Sequence, residues 1–147
     1  MTTPSRFISV EIAIKTDGDC DAFVDWLRAQ DHYVEKLACD THRWHVYFAP
    51  LSSGSADMTI RDICKGISDW PEVVRRQWDE AALREFFVGY EIGTEPVAHL
   101  DHFDSSTLEL AAQFGAGIGL ALYPPTMRRF VEGPNEEDEH DLGGNSG

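Results

Sequence analysis

The sequence predicts a single α+β domain with a ferredoxin-like β-α-β-β-α-β core and an appended αβ unit. Its helices are expected to lie on one face of a mostly antiparallel sheet. Apolar residues alternate along several strand-length segments, recur at helical spacing between them, and give the element order β-α-β-β-α-β-α-β. The 147 residues suffice for one domain that buries roughly two-thirds of its unfolded surface. We expect residues 1–125 to form this domain.

The first half of the chain predicts three strands and one helix. Residues 7–15 alternate as a half-buried strand, and a helix over residues 20–30 is expected to be capped by Asp17 or Asp19. Residues 33–38 and 42–49 indicate a hairpin. The residues expected to face the helices are Ile8, Val10, Ile12, Ile14, Trp44, Val46 and Phe48, with Phe7 and Glu11 among those on the opposite side.

Two helices and another strand are predicted next. Asp57 is expected to cap a helix over residues 58–69, and Pro71 suits the first turn of a short helix after it. Residues 83–92 alternate again as a strand, which completes the predicted core.

The last αβ unit carries signals for the beginning and end of a helix. Ser106 and Glu109 fit a capping box, and Gly115 or Gly117 can adopt the left-handed conformation that ends a helix. A strand then runs to Pro124, which stops the hydrogen-bond ladder. Its larger side chains, Ile118, Leu120 and Leu122, are expected to face the helices. Residues 126–147 hold six acidic residues against two basic ones and little apolar surface, and they predict a disordered tail.

Charge is the strongest global property of the chain. It has 26 acidic and 12 basic residues and a formal net charge of −14. Nucleic acids and anionic membranes are held mainly by Lys and Arg, so the sequence argues against both as partners. The same charge favours a cationic protein partner.

The sequence also indicates a cytoplasmic protein. The first 15 residues lack the pattern of a secretory signal, and no apolar run approaches the length of a membrane span. Cys20, Cys39 and Cys64 are odd in number and widely spaced, and we expect reduced thiols.

The sheet face opposite the helices is a candidate partner-binding surface. It is expected to be both aromatic and acidic, which is unusual for a surface that meets only water. Two alternatives are that another segment covers this face or that it pairs two subunits as a homodimer. The candidate residues are Glu11, His45, Tyr47, Phe87, Glu91 and Tyr123. Glu11 and Glu91 could also oppose each other across the sheet, in which case the pair would bind a cation or a basic side chain of a partner.

No set of residues spells out a catalytic reaction, so we predict that the protein is not an enzyme and needs no cofactor. His99, Asp101 and His102 have the right chemistry for a metal or acid–base site, but no second ligand pair accompanies them. A solvated loop is the favoured interpretation. Cys39, His42 and His45 have ligand-like spacing too, but residues three apart on a strand face opposite ways.

The segments FFVGYEIG and LELAAQFGAGIGLALYP, with the alternating first strand and the Trp44 strand, resemble a bacterial domain-of-unknown-function family. Proteins of this kind are similar to small acidic immunity proteins of polymorphic toxin systems. The resemblance covers most of residues 7–124. It implies a stoichiometric binding role and transfers no catalytic residues.

These observations favour a non-catalytic binding protein. The function expected first is that of an immunity protein, or antitoxin, which neutralises a toxin enzyme by occluding a basic surface. The alternatives are a small metal-dependent hydrolase that uses His99, Asp101 and His102, and a homo-oligomeric structural domain.

Overall fold

The computed structural model describes residues 1–50 and 54–125, which form five strands and four helices. The strands are β1 Arg6–Thr16, β2 Tyr33–Ala38, β3 Trp44–Ala49, β4 Leu83–Glu91 and β5 Gly117–Tyr123. The helices are α1 Asp21–Ala29, α2 Ala56–Ser68, α3 Glu72–Glu80 and α4 Ser105–Gln113. The tail predicted over residues 126–147 lies outside the described residues.

The five strands form one mixed sheet in the order β2-β3-β1-β4-β5. Three neighbouring pairs are antiparallel, and only β4 and β5 run parallel, because α4 carries the chain back along the sheet between them. The predicted α+β class with a mostly antiparallel sheet is confirmed. The order of the first four strands is compatible with a ferredoxin-like plan, and that finer assignment stays a prediction.

The hydrophobic core lies between one face of the sheet and the helices. Val10, Ile12 and Ile14 of β1 are at most 1% exposed, as the alternating pattern predicts. The strands and helices contribute Val46, Phe48, Phe86, Val88, Phe23, Leu27, Ile60, Ile67 and Trp78 to the same cluster. Truncating one large side chain of such a core costs about 3–5 kcal/mol.

Helices α1 and α3 are tied together by a buried amide. The N–H of Phe23, in the first turn of α1, donates to Oε1 of Gln77 at 2.8 Å. The residue before α1, Cys20, makes no side-chain cap, so Gln77 of α3 satisfies one of the free N–H groups at this helix end. Asp19, predicted as a cap, instead accepts from the N–H of Asp21 at 2.9 Å.

Helices α2 and α4 are joined by an arginine. Nη2 of Arg61 lies 3.2 Å from Asp57, 3.0 Å from Asp104 and 3.0 Å from the hydroxyl of Thr107. The N–H of Asp104 also donates to Asp57 at 2.9 Å. These bonds hold the beginning of α4 against the beginning of α2.

The same contacts explain two capping predictions that were wrong. Ser55 rather than Asp57 caps α2, because its hydroxyl accepts from the N–H of Met58 at 3.1 Å. Asp104 occupies the N-cap position of α4 and makes no side-chain cap, whereas Ser106 is the second residue of the helix and so cannot form the capping box with Glu109. The carboxylates of Asp57 and Asp104 are engaged in the contacts between the two helices instead.

A β-bulge near Ile8 corrects the faces predicted for the beginning of β1. Phe7 pairs with Tyr90 and Ser9 with Gly89, so one residue of β1 has no partner. Phe7 therefore turns to the helix side, where its ring packs edge-on against that of Tyr90, with 6.2 Å between the ring centroids. Ile8 is 42% exposed instead of buried.

The three large side chains of β5 lie on the predicted face of the sheet, but two of them are not covered by other residues. Ile118 packs against the core, whereas Leu120 and Leu122 are 63% and 61% exposed. Their partners Val88 and Tyr90 show that both leucines lie on the helix side of the sheet. Only Ile118 of these three residues packs against the core, so the prediction that all three pack under helices was wrong.

Two glycines should respond to alanine in opposite ways. Gly115 ends α4 with φ +69°, and an added Cβ would lie 2.7 Å from the guanidinium of Arg84. We expect Gly115→Ala to lower the free energy of unfolding by about 1–2 kcal/mol. Gly66 in α2 has open space around it, and Gly66→Ala should raise the free energy of unfolding by about 0.5–1 kcal/mol. Urea denaturation of both variants measures the two free energies of unfolding. A Gly115→Ala variant as stable as the unmodified chain would contradict the expected backbone strain.

Candidate functional site

No helix lies over one face of the sheet in the described part of the chain. We call this side the open sheet face. Strand pairing brings all six predicted binding residues onto it, because paired residues project to the same side and residues two apart share a face. The pairs that fix this placement are Glu11 with Phe87, Glu91 with Tyr123, Ala13 with Tyr47 and Lys15 with His45.

Two aromatic rings of the open sheet face rest on glycines of the neighbouring strand. The ring of Phe87 lies 2.6 Å from the point where a Cβ of Gly119 would be, and that of Tyr123 lies 3.3 Å from the corresponding point of Gly89. A glycine inside a strand permits this close approach. The rings are therefore held flat against the sheet and are half-buried.

A groove on the same face lies over β2, β3 and β1. It encloses about 380 Å³. Glu11 and Glu35 supply its negative charge, while Tyr33, Leu37 and Tyr47 supply apolar surface. Tyr33 is 70% and Leu37 48% exposed.

The three residues from β2 were not among the predicted site residues. Tyr33, Glu35 and Leu37 alternate in the sequence, and their pairing with β3 places them beside His45 and Tyr47. The period of two along residues 33–37 is the signal that could have found them.

Charges on the open sheet face perturb the side chains around them. Burial and the negative charge of Glu11 raise the pKa of Tyr123. A hydrogen bond from the Tyr33 hydroxyl to Glu35 likewise raises the pKa of Tyr33. Burial and then the charge of Lys15 lower the pKa of His45, which favours the neutral imidazole at neutral pH.

Glu91 is less available than predicted. Its carboxylate accepts from Nη2 of Arg6 at 3.1 Å, and its side chain is only 15% exposed. Glu11 pairs with Phe87 rather than with Glu91, so the two carboxylates do not oppose each other across the sheet. Glu11 and Glu35 are the acids of this face that border the groove.

The predicted metal candidates in the loop before α4 make separate contacts. The ring of His99 packs against that of Tyr90, with 5.2 Å between the ring centroids. The carboxylate of Asp101 accepts a hydrogen bond from the Tyr90 hydroxyl at 2.5 Å. His102 is 86% exposed and its ring meets Asp104. Across residues 1–50 and 54–125, no group of three or more His, Cys, Asp or Glu side chains could hold a metal ion.

The cysteines and the hairpin histidine do not form a nucleophilic site in the described ranges. Cys64 is buried, and burial raises its pKa to about 11. Hydrogen bonds from the hydroxyl of Thr41 and from backbone N–H groups lower the pKa of Cys39 to about 7. His42, however, turns to Asp17 at 3.2 Å, so it does not serve as a base for Cys39.

Comparison with known proteins leaves the resemblance to a bacterial family as a prediction. No family model matches the chain, and no match was found among curated proteins or solved structures. None of the described helices is long and apolar enough to cross a membrane.

The hydrogen bond between Tyr90 and Asp101 should be visible in the pH dependence of stability. Burial, and then the bond to Asp101, raise the pKa of Tyr90 above the usual value of 10.0. The folded protein therefore keeps a proton that the unfolded chain releases above about pH 10, and stability is lost there by up to about 1.4 kcal/mol per pH unit. We expect Tyr90→Phe to remove the part of the stability loss above about pH 10 that comes from Tyr90. At pH 7 the same substitution should lower the free energy of unfolding by about 1 kcal/mol.

Urea denaturation of both proteins between pH 7 and pH 11 measures the difference. The rings of Phe and Tyr are alike in shape, so packing against Phe7 is retained. Equal slopes above pH 10 would contradict a protonated Tyr90 in the folded state.

Proposed function

We propose that the chain is a non-catalytic binding protein whose open sheet face holds a basic surface of a protein partner. The observation that carries this proposal is the groove in which Glu11 and Glu35 lie beside the exposed Tyr33 and the half-buried Tyr47. Two carboxylates at one concave site favour a Lys or Arg side chain, because each can accept a charge-assisted hydrogen bond.

The aromatic residues of the groove suit the same partner. Tyr33 offers an exposed ring to which a guanidinium or ammonium group is attracted, and the apolar area of Tyr33 and Tyr47 gains from being removed from water. Buried Tyr side chains commonly dominate the binding energy of interfaces, while surrounding acids steer the approach of a basic protein. The net charge of −14 adds to this steering.

The particular role proposed is that of an immunity protein that blocks a basic surface of a toxin enzyme. The sequence resemblance and the acidic, aromatic character of the open sheet face support it. The metal-dependent hydrolase has less support, because His99, Asp101 and His102 are divided among separate contacts.

Charge reversal in the groove tests the binding face. We expect Glu11→Lys with Glu35→Lys to weaken binding to the product of the adjacent gene by at least about 100-fold, because two carboxylates that pair with partner cations are replaced by repulsive charges. Isothermal titration calorimetry at low and moderate salt measures the affinity.

The matched control changes the net charge equally away from the groove. Asp25 on α1 and Glu109 on α4 are exposed, and Asp25→Lys with Glu109→Lys should change the affinity only a few-fold through long-range steering. If both double variants lost affinity equally, the proposal that the partner binds at the open sheet face would be wrong. Light scattering of the unmodified chain distinguishes self-association, since a dimer through this face would dissociate in the Glu11 and Glu35 double variant.

Two glycines of β5 provide a second, uncharged test. A Cβ at Gly119 would displace the ring of Phe87, whereas one at Gly117, on the same face of the same strand, meets no atom within 4 Å. We expect Gly119→Val to weaken partner binding at least tenfold for a loss of about 1–2 kcal/mol in stability, because a half-buried ring can turn outwards. Gly117→Val should leave both properties nearly unchanged. Calorimetry and thermal denaturation measure them, and a Gly119→Val variant that unfolds would show that the face belongs to the core.

A further inference from the structure

A second concave surface lies on the helix side of the sheet, over the exposed end of β5. We call it the β5 groove. It encloses about 500 Å³ between the exposed leucines of β5 and the loop that precedes α4. Pockets that bind small molecules span about 300–1,000 Å³. The β5 groove therefore has the size of a small-molecule site, and the sheet separates it from the open sheet face.

The walls of the β5 groove are mainly apolar. Leu120, Leu122 and Val97 are 63%, 61% and 68% exposed, and Tyr90 and Phe103 add aromatic surface beneath them. Large apolar side chains gathered at one concavity gain free energy when a ligand removes them from water. The groove thus favours a ligand with an apolar body.

The polar side chains that line the β5 groove include Ser5, His99 and Asp101, and Asp101 is the acidic residue among the lining residues. Asp101 is part of the lining, and its two oxygens accept from the hydroxyl of Tyr90 at 2.5 Å and from the N–H of His102 at 2.8 Å. These bonds fix the orientation of the carboxylate and leave each oxygen a further lone pair. Among residues 1–50 and 54–125, Asp101 forms no ion pair. The groove therefore offers a positioned but uncompensated negative charge.

We propose that the β5 groove binds a small organic cation, namely an apolar or aromatic molecule that carries one protonated amine. The apolar body lies against Leu120 and Leu122, and the ammonium group donates to Asp101 beside the ring of Tyr90. An anion with the same body is disfavoured by Asp101 and by the net charge of −14. The site stands independently of the partner-binding face on the other side of the sheet.

Tryptamine is a suitable probe because it joins an aromatic ring to a protonated amine. With the full chain at pH 7, we expect a Kd of about 0.1–1 mM by NMR titration, since ligands of this size gain a few tenths of a kcal/mol per heavy atom. Indole should bind more weakly, and indole-3-acetate more weakly still. Indole-3-acetate binding as tightly as tryptamine would overturn the proposal.

Removal of the carboxylate tests the charge. Asp101→Asn should weaken tryptamine binding about five- to tenfold and leave indole binding unchanged. Asp40→Asn is the matched control, because Asp40 is exposed in the hairpin turn at the other end of the sheet and its loss changes the net charge equally. Equal weakening in both variants would show a general charge effect and overturn the site.

An arginine inside the groove tests the location without relying on Asp101. Leu120 is already exposed, so Leu120→Arg should fold, as circular dichroism can verify, and should abolish tryptamine binding by placing a cation beside Asp101. The exposed Leu108 of α4 is not part of the lining, and Leu108→Arg should bind as the unmodified chain does. Retained binding in folded Leu120→Arg would overturn the proposal.

Discussion

The packing of all four helices on one side of the sheet is the constraint on which the rest of the structure depends. Helices α1, α2 and α3 bury large side chains against β1, β3 and β4, and α4 adds Ala111. Each of these strands therefore has one face that must be apolar and one that need not be. Gln77 and Arg61 reinforce the layer by joining the helices in pairs, the first through a buried hydrogen bond and the second through partly buried ones.

The helix layer is complete over β1 and incomplete over β5, and this difference creates two surfaces of different character. On the side without helices, Glu11 and Glu35 border a groove that also contains tyrosine rings. On the helix side, Leu120 and Leu122 remain exposed opposite the loop that precedes α4. The first surface combines acids with aromatics over an open sheet, and the second combines one acid with aliphatic side chains in a concavity. The two surfaces therefore differ mainly in their charge and in the kind of apolar side chain that they expose.

The parts of the structure that depend on local pattern could be predicted from the sequence. Alternation identified the buried residues Val10, Ile12 and Ile14, and the glycines at 115 and 117 indicated the end of α4, which the structure places at the left-handed Gly115. The six candidate residues of the open sheet face also follow from this period, because pairing in register preserves the face of each residue.

The remainder depends on contacts that are distant in sequence. The bulge that turns Phe7 towards Tyr90 leaves no residue type as a signature in β1. The exposure of Leu120 depends on which elements lie over β5, and these are decided by contacts distant in sequence, such as the one between Arg61 of α2 and Thr107 of α4. The pairing of Glu91 with Arg6 could not be inferred because it requires the register between the first and fourth strands. Alternation predicts which side a residue faces, but not what covers that side.

The central position of β1 also bears on how the chain folds during synthesis. This strand is made before the other four described strands, yet its two neighbours are β3 and the much later β4, so that Val10 pairs with Val88. Contacts so distant in sequence slow folding, and until β4 emerges a nascent chain carries an apolar strand with an unpaired edge. Such an edge can pair with another chain. The surplus of acidic residues opposes that encounter, because like-charged nascent chains repel one another before their strands can align.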